Sequence, residues 1–195
     1  MKIDRRLAAW LGCVLLLAEL ILILVSWLLS ATMTEGVRSL LSSEGIRWFF
    51  GSFVGIMASP LLVWLLLSLI ASGSLQKSGL LAMQQSYREK VALRSALLLL
   101  ILYVAVILLL TVTPNAILLS ITGSLFPSAF SRSLVPVIAF GIVLMSISFG
   151  VMSGRINSLS AVLETLSFGI SKDAELFVLY ILIMQFYESL WFVFG

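Results

Sequence analysis

Five apolar runs, at about residues 7–29, 53–71, 96–112, 134–152 and 176–194, alternate with short polar connections along this chain. An α-helix rises about 1.5 Å per residue, so about 20 apolar residues cross the hydrocarbon of a bilayer, and each run is near that length. The runs are continuous Leu, Ile, Val and Phe, without the two-residue alternation of a membrane barrel. Helices, which satisfy their own backbone polar groups, are therefore the predicted spanning elements. Lys2, Arg5 and Arg6 precede the first run as they would a secretory signal. Its apolar core is too long for a signal and no small-residue cleavage site follows, so the run is expected to stay as a first helix.

The connections carry their own pattern. In "SLLSSEGIRWFF" (residues 39–50), Leu40, Leu41, Trp48 and Phe49 recur with Val37 at roughly helical spacing, while Arg38, Glu44 and Arg47 take other positions. This predicts a short amphipathic helix lying along the outer headgroups, with Trp48 in the aromatic belt. Residues 72–79, Ser-Gly-Ser-Leu-Gln-Lys-Ser-Gly, read as a helix stop and turn; residues 80–94 then read as an interfacial helix with Arg88, Lys90 and Arg94 toward anionic lipid. Ser153-Gly154 marks another stop, before a second surface helix over residues 159–168. Pro60 is expected inside the second span and Pro136 near the start of the fourth, with a further break at Pro114-Asn115.

Composition agrees with the pattern: 61% of residues are hydrophobic, 11% are charged and the mean hydropathy is +1.18, outside the range of water-soluble domains. The expected fold class is an all-α integral membrane protein, one transmembrane domain over residues 1–195 with five helices and short interfacial helices. Twelve basic residues orient it. With the N-terminus inside, Lys2, Arg5, Arg6, Lys77, Arg88, Lys90, Arg94, Arg155 and Lys172 are cytoplasmic, and Arg38, Arg47 and Arg132 external. The positive-inside rule thus predicts N-in and C-out in a bacterial inner membrane. The net charge of +3 reports that orientation and gives no reason to expect nucleic acid.

Most catalytic chemistry is excluded by residue type. There is no histidine, and Cys13 is the single cysteine, so imidazole-based relays, zinc sites and internal disulfides are absent. Asp4 and Asp173 lie outside the apolar runs, which excludes an intramembrane aspartyl pair, and no glycine-rich phosphate loop is present. No catalytic residue, metal or cofactor is expected, and the chain reads as a non-enzyme.

Two carboxylates remain at membrane depth. Glu19 falls near the middle of the first run and Glu188 in the outer half of the fifth, and no Lys or Arg lies inside any run. An ionised acid is disfavoured in hydrocarbon, so at least one is expected to be protonated. Both are candidates for proton coupling or for a contact between helices. Gln185, three residues before Glu188 and expected on its face, is a candidate for ligand binding or helix contact. Tyr187, Trp191 and Phe192 beside them also read as an outer aromatic belt.

Residues 40–50 followed by "SPLLVWLLLSLIASGSLQKSGLLAM" (residues 59–83), and a second block from Ser133 through "FGVMSGRINS" to "ISKDAELFVLYILIMQFYESLWFVFG", resemble two regions of the AbgT-type transporters, the aminobenzoyl-glutamate transporter family. The blocks cover about half the chain, in the family's order. The resemblance implies a secondary transporter moving a small organic anion or drug-like solute on an ion gradient, as a homo-oligomer in the lipid bilayer. Full members are more than twice as long, so a shortened relative lacking much of the transport core is expected. The family's substrate residues fall mainly in the missing parts, and none is carried over. The alternative is a non-transporting scaffold or accessory subunit of a larger membrane complex, whose buried carboxylates specify contacts with a partner.

Overall fold

The computed structural model of the protein describes residues 5–32, 36–82, 86–112 and 129–195, and every regular element among them is helical. Lys2, Asp4, Pro114 and Asn115 lie outside the described residues. Among the described residues five helical segments are long and apolar enough to cross a membrane: Arg5–Ala31, Pro60–Ala82, Tyr87–Thr111, Ser133–Ser153 and Glu175–Phe194. The chain divides into two compact units, Met1–Leu62 with Asp173–Gly195, and Val63–Lys172.

In the first unit, α1 (Arg5–Ala31) and α7 (Glu175–Phe194) run parallel in a constant register. Arg5 pairs with Glu175 at 3.0 Å, Gly12 faces Leu179 and Leu182, and Glu19 is bonded to Ser189. Each step is seven residues on both helices. Seven residues make almost two turns, so one stripe of each helix returns to the same neighbour, as in coiled-coil packing. One further step reaches Ser26, fully buried, whose hydroxyl donates to the Ile23 carbonyl and accepts the Leu40 N–H.

That last bond folds the connection back over the bundle and into α2 (Ser43–Met57). Ser42 caps the helix by accepting the Gly45 N–H at 3.0 Å. The amphipathic pattern over residues 39–50 does make a helix, but not one across the helix ends. The Arg38 N–H donates to Val193 O, Trp48 stacks on Phe192 at 4.5 Å, and the Tyr180 hydroxyl donates to Met57 O at 3.0 Å. α2 therefore descends antiparallel along α7. Its apolar face has protein to cover it, a cluster of Leu22, Leu40, Phe192 and Val193, so it does not need the headgroup boundary.

Hydropathy predicts one span over residues 53–71, yet the run is divided. α2 ends at Met57 and α3 (Pro60–Lys77) begins at Pro60. Proline lacks an N–H, and inside a helix its ring would collide with the carbonyl four residues back; at the first helical position neither matters. The Ser59 hydroxyl, 2.7 Å from the Tyr180 hydroxyl, joins Met57 O in tying the break to α7.

In the second unit, α4 (Tyr87–Val112) and α5 (Ala129–Ser153) form an antiparallel pair. Ala92 and Ala96 leave room for Phe149, and all three are fully buried. Pro136 sits inside α5, as its position in the run predicts, and one residue on the Val137 carbonyl accepts the Tyr103 hydroxyl at 2.9 Å. The expected interfacial helix over residues 80–94 does not form as one piece. Leu80–Ala82 is a single 3₁₀ turn, and residues 87–94 are the first turns of α4, since the sequence YREKVALR holds no breaker before the apolar run.

The two Ser-Gly pairs behave differently. α5 stops at Ser153: Gly154 takes φ +80°, its N–H reaches Val151 O at 3.0 Å, and the Arg155 N–H reaches Gly150 O at 2.9 Å. This is a Schellman cap, and it needs the left-handed residue that glycine tolerates. Ser72-Gly73, by contrast, is interior to α3, which continues to Lys77. There α3 crosses the amphipathic helix α6 (Leu159–Lys172), with Gly73 against Gly169. Absent side chains, not a stop signal, explain the glycine at 73. Lys77 to Glu164 at 2.8 Å and Lys172 to Gln76 clasp the crossing on its polar side.

Beside it lies a partly buried ion pair. Arg155, just past the α5 cap, reaches Glu89 at 2.6 Å, with 34% of the arginine side chain exposed and 12% of the glutamate's.

Candidate functional site

The α1–α7 register brings Glu19 and Gln185 together through a residue that the polar pattern did not single out. Gln185 Nε2 donates to Ser189 Oγ at 3.2 Å, and Ser189 Oγ donates to Glu19 Oε1 at 2.7 Å. Ser189 is fully buried and Gln185 nearly so. Glu19 Oε2 and Gln185 Oε1 are buried atoms with no hydrogen-bond partner among the described residues. The signal for Ser189 was its spacing. It lies four residues after Gln185, on the same face of a helix, and seven residues beyond Leu182, in the stripe facing α1.

Glu188 is not part of this line. Successive residues on a helix turn by about 100°, so Ser189 lies near the direction of Gln185 while Glu188 points about 60° to the other side. The expected shared face of Gln185 and Glu188 is therefore not used. Glu188 instead borders a cleft of about 310 Å³ with Arg38, Glu44, Trp48 and Trp191. The Arg38 guanidinium lies 3.9 Å from Glu44 and 5.5 Å from the centre of the Phe192 ring.

On its other side Glu19 borders a cavity of about 210 Å³ between α1 and α2, walled by Ile23, Leu40, Ile46, Phe49 and Phe50. Its wall is almost wholly apolar, and the carboxyl is its one ionisable group. No Lys or Arg occurs in α1 beyond Arg6, nor anywhere in α7. An acid held by a single hydroxyl, with its second oxygen unpartnered, can take up a proton or a cation at that oxygen.

Among the described residues no group of three or more Cys, Asp or Glu could hold a metal ion. The chain matches no family model, no curated protein and no solved structure.

Proposed function

We propose that the chain is a secondary-transporter-like protein of the bacterial inner membrane, related to the AbgT-type transporters, that moves a small organic anion or drug-like solute coupled to an ion gradient, with Glu19 as the coupling group. The observation that carries this reading is the Glu19 side chain at the wall of the α1–α2 cavity, its carboxyl held by the Ser189 hydroxyl with no cation among the lining residues. A carboxyl kept at membrane depth without a cation is costly and serves best where it exchanges a proton or an ion. The divided helix α2–α3 supports the same reading, since broken helices recur at transporter sites.

The test is flux in liposomes containing only the purified chain, with p-aminobenzoyl-glutamate and 2-phenylethylamine as solutes under an imposed pH gradient. Gradient-driven uptake of either is expected, reduced about tenfold or more in Glu19→Gln, which keeps the Ser189 bond but cannot ionise. Absence of flux for both would favour the second reading, a membrane scaffold. One observation favours that alternative: the Met57 carbonyl at the break accepts the Tyr180 hydroxyl, so this backbone group is satisfied within the protein.

We place the N-terminus in the cytoplasm and the C-terminus outside, on the nine-to-three asymmetry of basic residues. In a Cys13→Ser background, a cysteine at exposed Ser43 is expected to react with an impermeant maleimide in intact cells, and one at exposed Ser86 only after permeabilisation. Labelling of position 86 in intact cells would overturn the orientation.

A further inference from the structure

We infer that the α1–α2 cavity binds a small lipophilic amine, its ammonium paired with the Glu19 carboxylate and its ring packed among the apolar walls. The inference rests on reading this unit as a solute carrier, and it adds the chemical class of the solute.

Three classes of occupant can be compared against the walls. A purely apolar molecule would fill the space but set the Glu19 carboxyl, the one ionisable group among the lining residues, against hydrocarbon, which carries a desolvation penalty. An organic anion would meet the Glu19 carboxyl with no compensating cation. Neither Arg47, next to the lining Ile46, nor Arg38 is among the residues that line the cavity, and Arg38 is directed to Glu44 and the Phe192 ring. An ammonium in the cavity gives the Glu19 carboxylate, which already accepts the Ser189 hydroxyl, a charge-assisted hydrogen bond, the stronger kind. Phe49 and Phe50, whose rings meet edge to face at 5.4 Å in the same wall, offer electron-rich surfaces that attract a cation.

Size narrows the class. An engineered apolar cavity of about 150 Å³ takes up benzene. The 210 Å³ here therefore suits one aromatic ring with a short aminoalkyl chain. Access is from the apolar side. Phe50 is 77% exposed and Ile46 48% exposed at the rim, on a surface that would face hydrocarbon. A ligand that partitions into a bilayer before it binds fits that approach.

The experiment is equilibrium binding of tritiated 2-phenylethylamine to the full chain in phosphatidylcholine nanodiscs, counting the saturable component, with 2-phenylethanol and phenylacetate as competitors. The amine is expected to bind about tenfold or more tightly than the alcohol, which has the same ring and chain without the charge, and phenylacetate is expected not to compete. Glu19→Gln should weaken the amine about tenfold and leave the alcohol nearly unchanged, which a merely misfolded protein would not do. Ile46→Trp, filling the cavity, should remove the binding of both. Equal affinity for amine and alcohol, amine binding retained in Glu19→Gln, or no saturable binding would each overturn the inference. Because no flux is measured, amine binding by a chain that carries nothing would uphold this site and overturn the carrier reading. Carriage of p-aminobenzoyl-glutamate without amine binding would do the reverse.

Discussion

Gly169→Ala is expected to destabilise the second unit by about 3 kcal/mol or more, at the upper end of overpacking effects. A Cβ built on Gly169 would lie 1.8 Å from the Leu69 carbonyl oxygen and 3.0 Å from the Gly73 Cα. Those are backbone atoms of α3, which cannot swing aside as a side chain can, so the crossing must open. Gly73→Ala meets Gly169 N at 2.2 Å and is expected to do the same. The double variant should cost less than the sum, since either methyl group alone already separates the helices. Gly12→Ala provides the contrast. Its Cβ would stand 3.7 Å from Leu182 and 3.9 Å from Leu179, ordinary contact distances, and alanine is the better helix former by about 1 kcal/mol. Thermal unfolding in detergent should therefore rank Gly12→Ala at or above the parent protein and both α3–α6 variants well below it. A Gly169→Ala protein as stable as the parent would mean that the helices do not cross so closely.

The second large effect is expected at Glu89. Removing one member of a buried ion pair costs about 3–5 kcal/mol, because the remaining charge loses its partner but not its desolvation. Here the Arg155 side chain keeps about a third of its exposure, so a loss of about 2–3 kcal/mol is expected for Glu89→Ala. Glu89→Leu combined with Arg155→Leu should recover most of it, since two apolar side chains leave no charge to solvate. The measurement is the unfolding free energy of the singles and the double. A double variant no better than Glu89→Ala would locate the loss in packing and not in charge.

The five long helices were legible because hydropathy over a window of about 20 residues reports a property of composition, and composition sufficed. The same averaging hid the division at Ala58-Ser59. A proline in an apolar run leaves the hydropathy high, whether it bends a helix or begins one. The amphipathic stripe of residues 39–50 announced a helix with an apolar face, but not whether lipid or α7 covered it. Ser72-Gly73 and Ser153-Gly154 look alike as dipeptides and differ in what stands opposite them, Gly169 in one case and a capping turn in the other. Glu19 and Gln185 stood out as polar groups within apolar runs, whereas their junction through Ser189 depends on a register between segments 170 residues apart. No local pattern carries such a register, although its seven-residue period was written in both helices.

That register also has a consequence for the order of events during synthesis. Glu19 and Ser189 are 170 residues apart. At about 5–20 residues per second, roughly 9–34 s pass between making the acid and making the hydroxyl that meets it. α1 thus waits for α7, and the whole of Val63–Lys172 is translated in between. Through that interval the Glu19 carboxyl must be met by water, by headgroups or by the insertion machinery. A chain that stops before residue 189 leaves the Glu19 carboxyl without the hydroxyl that meets it.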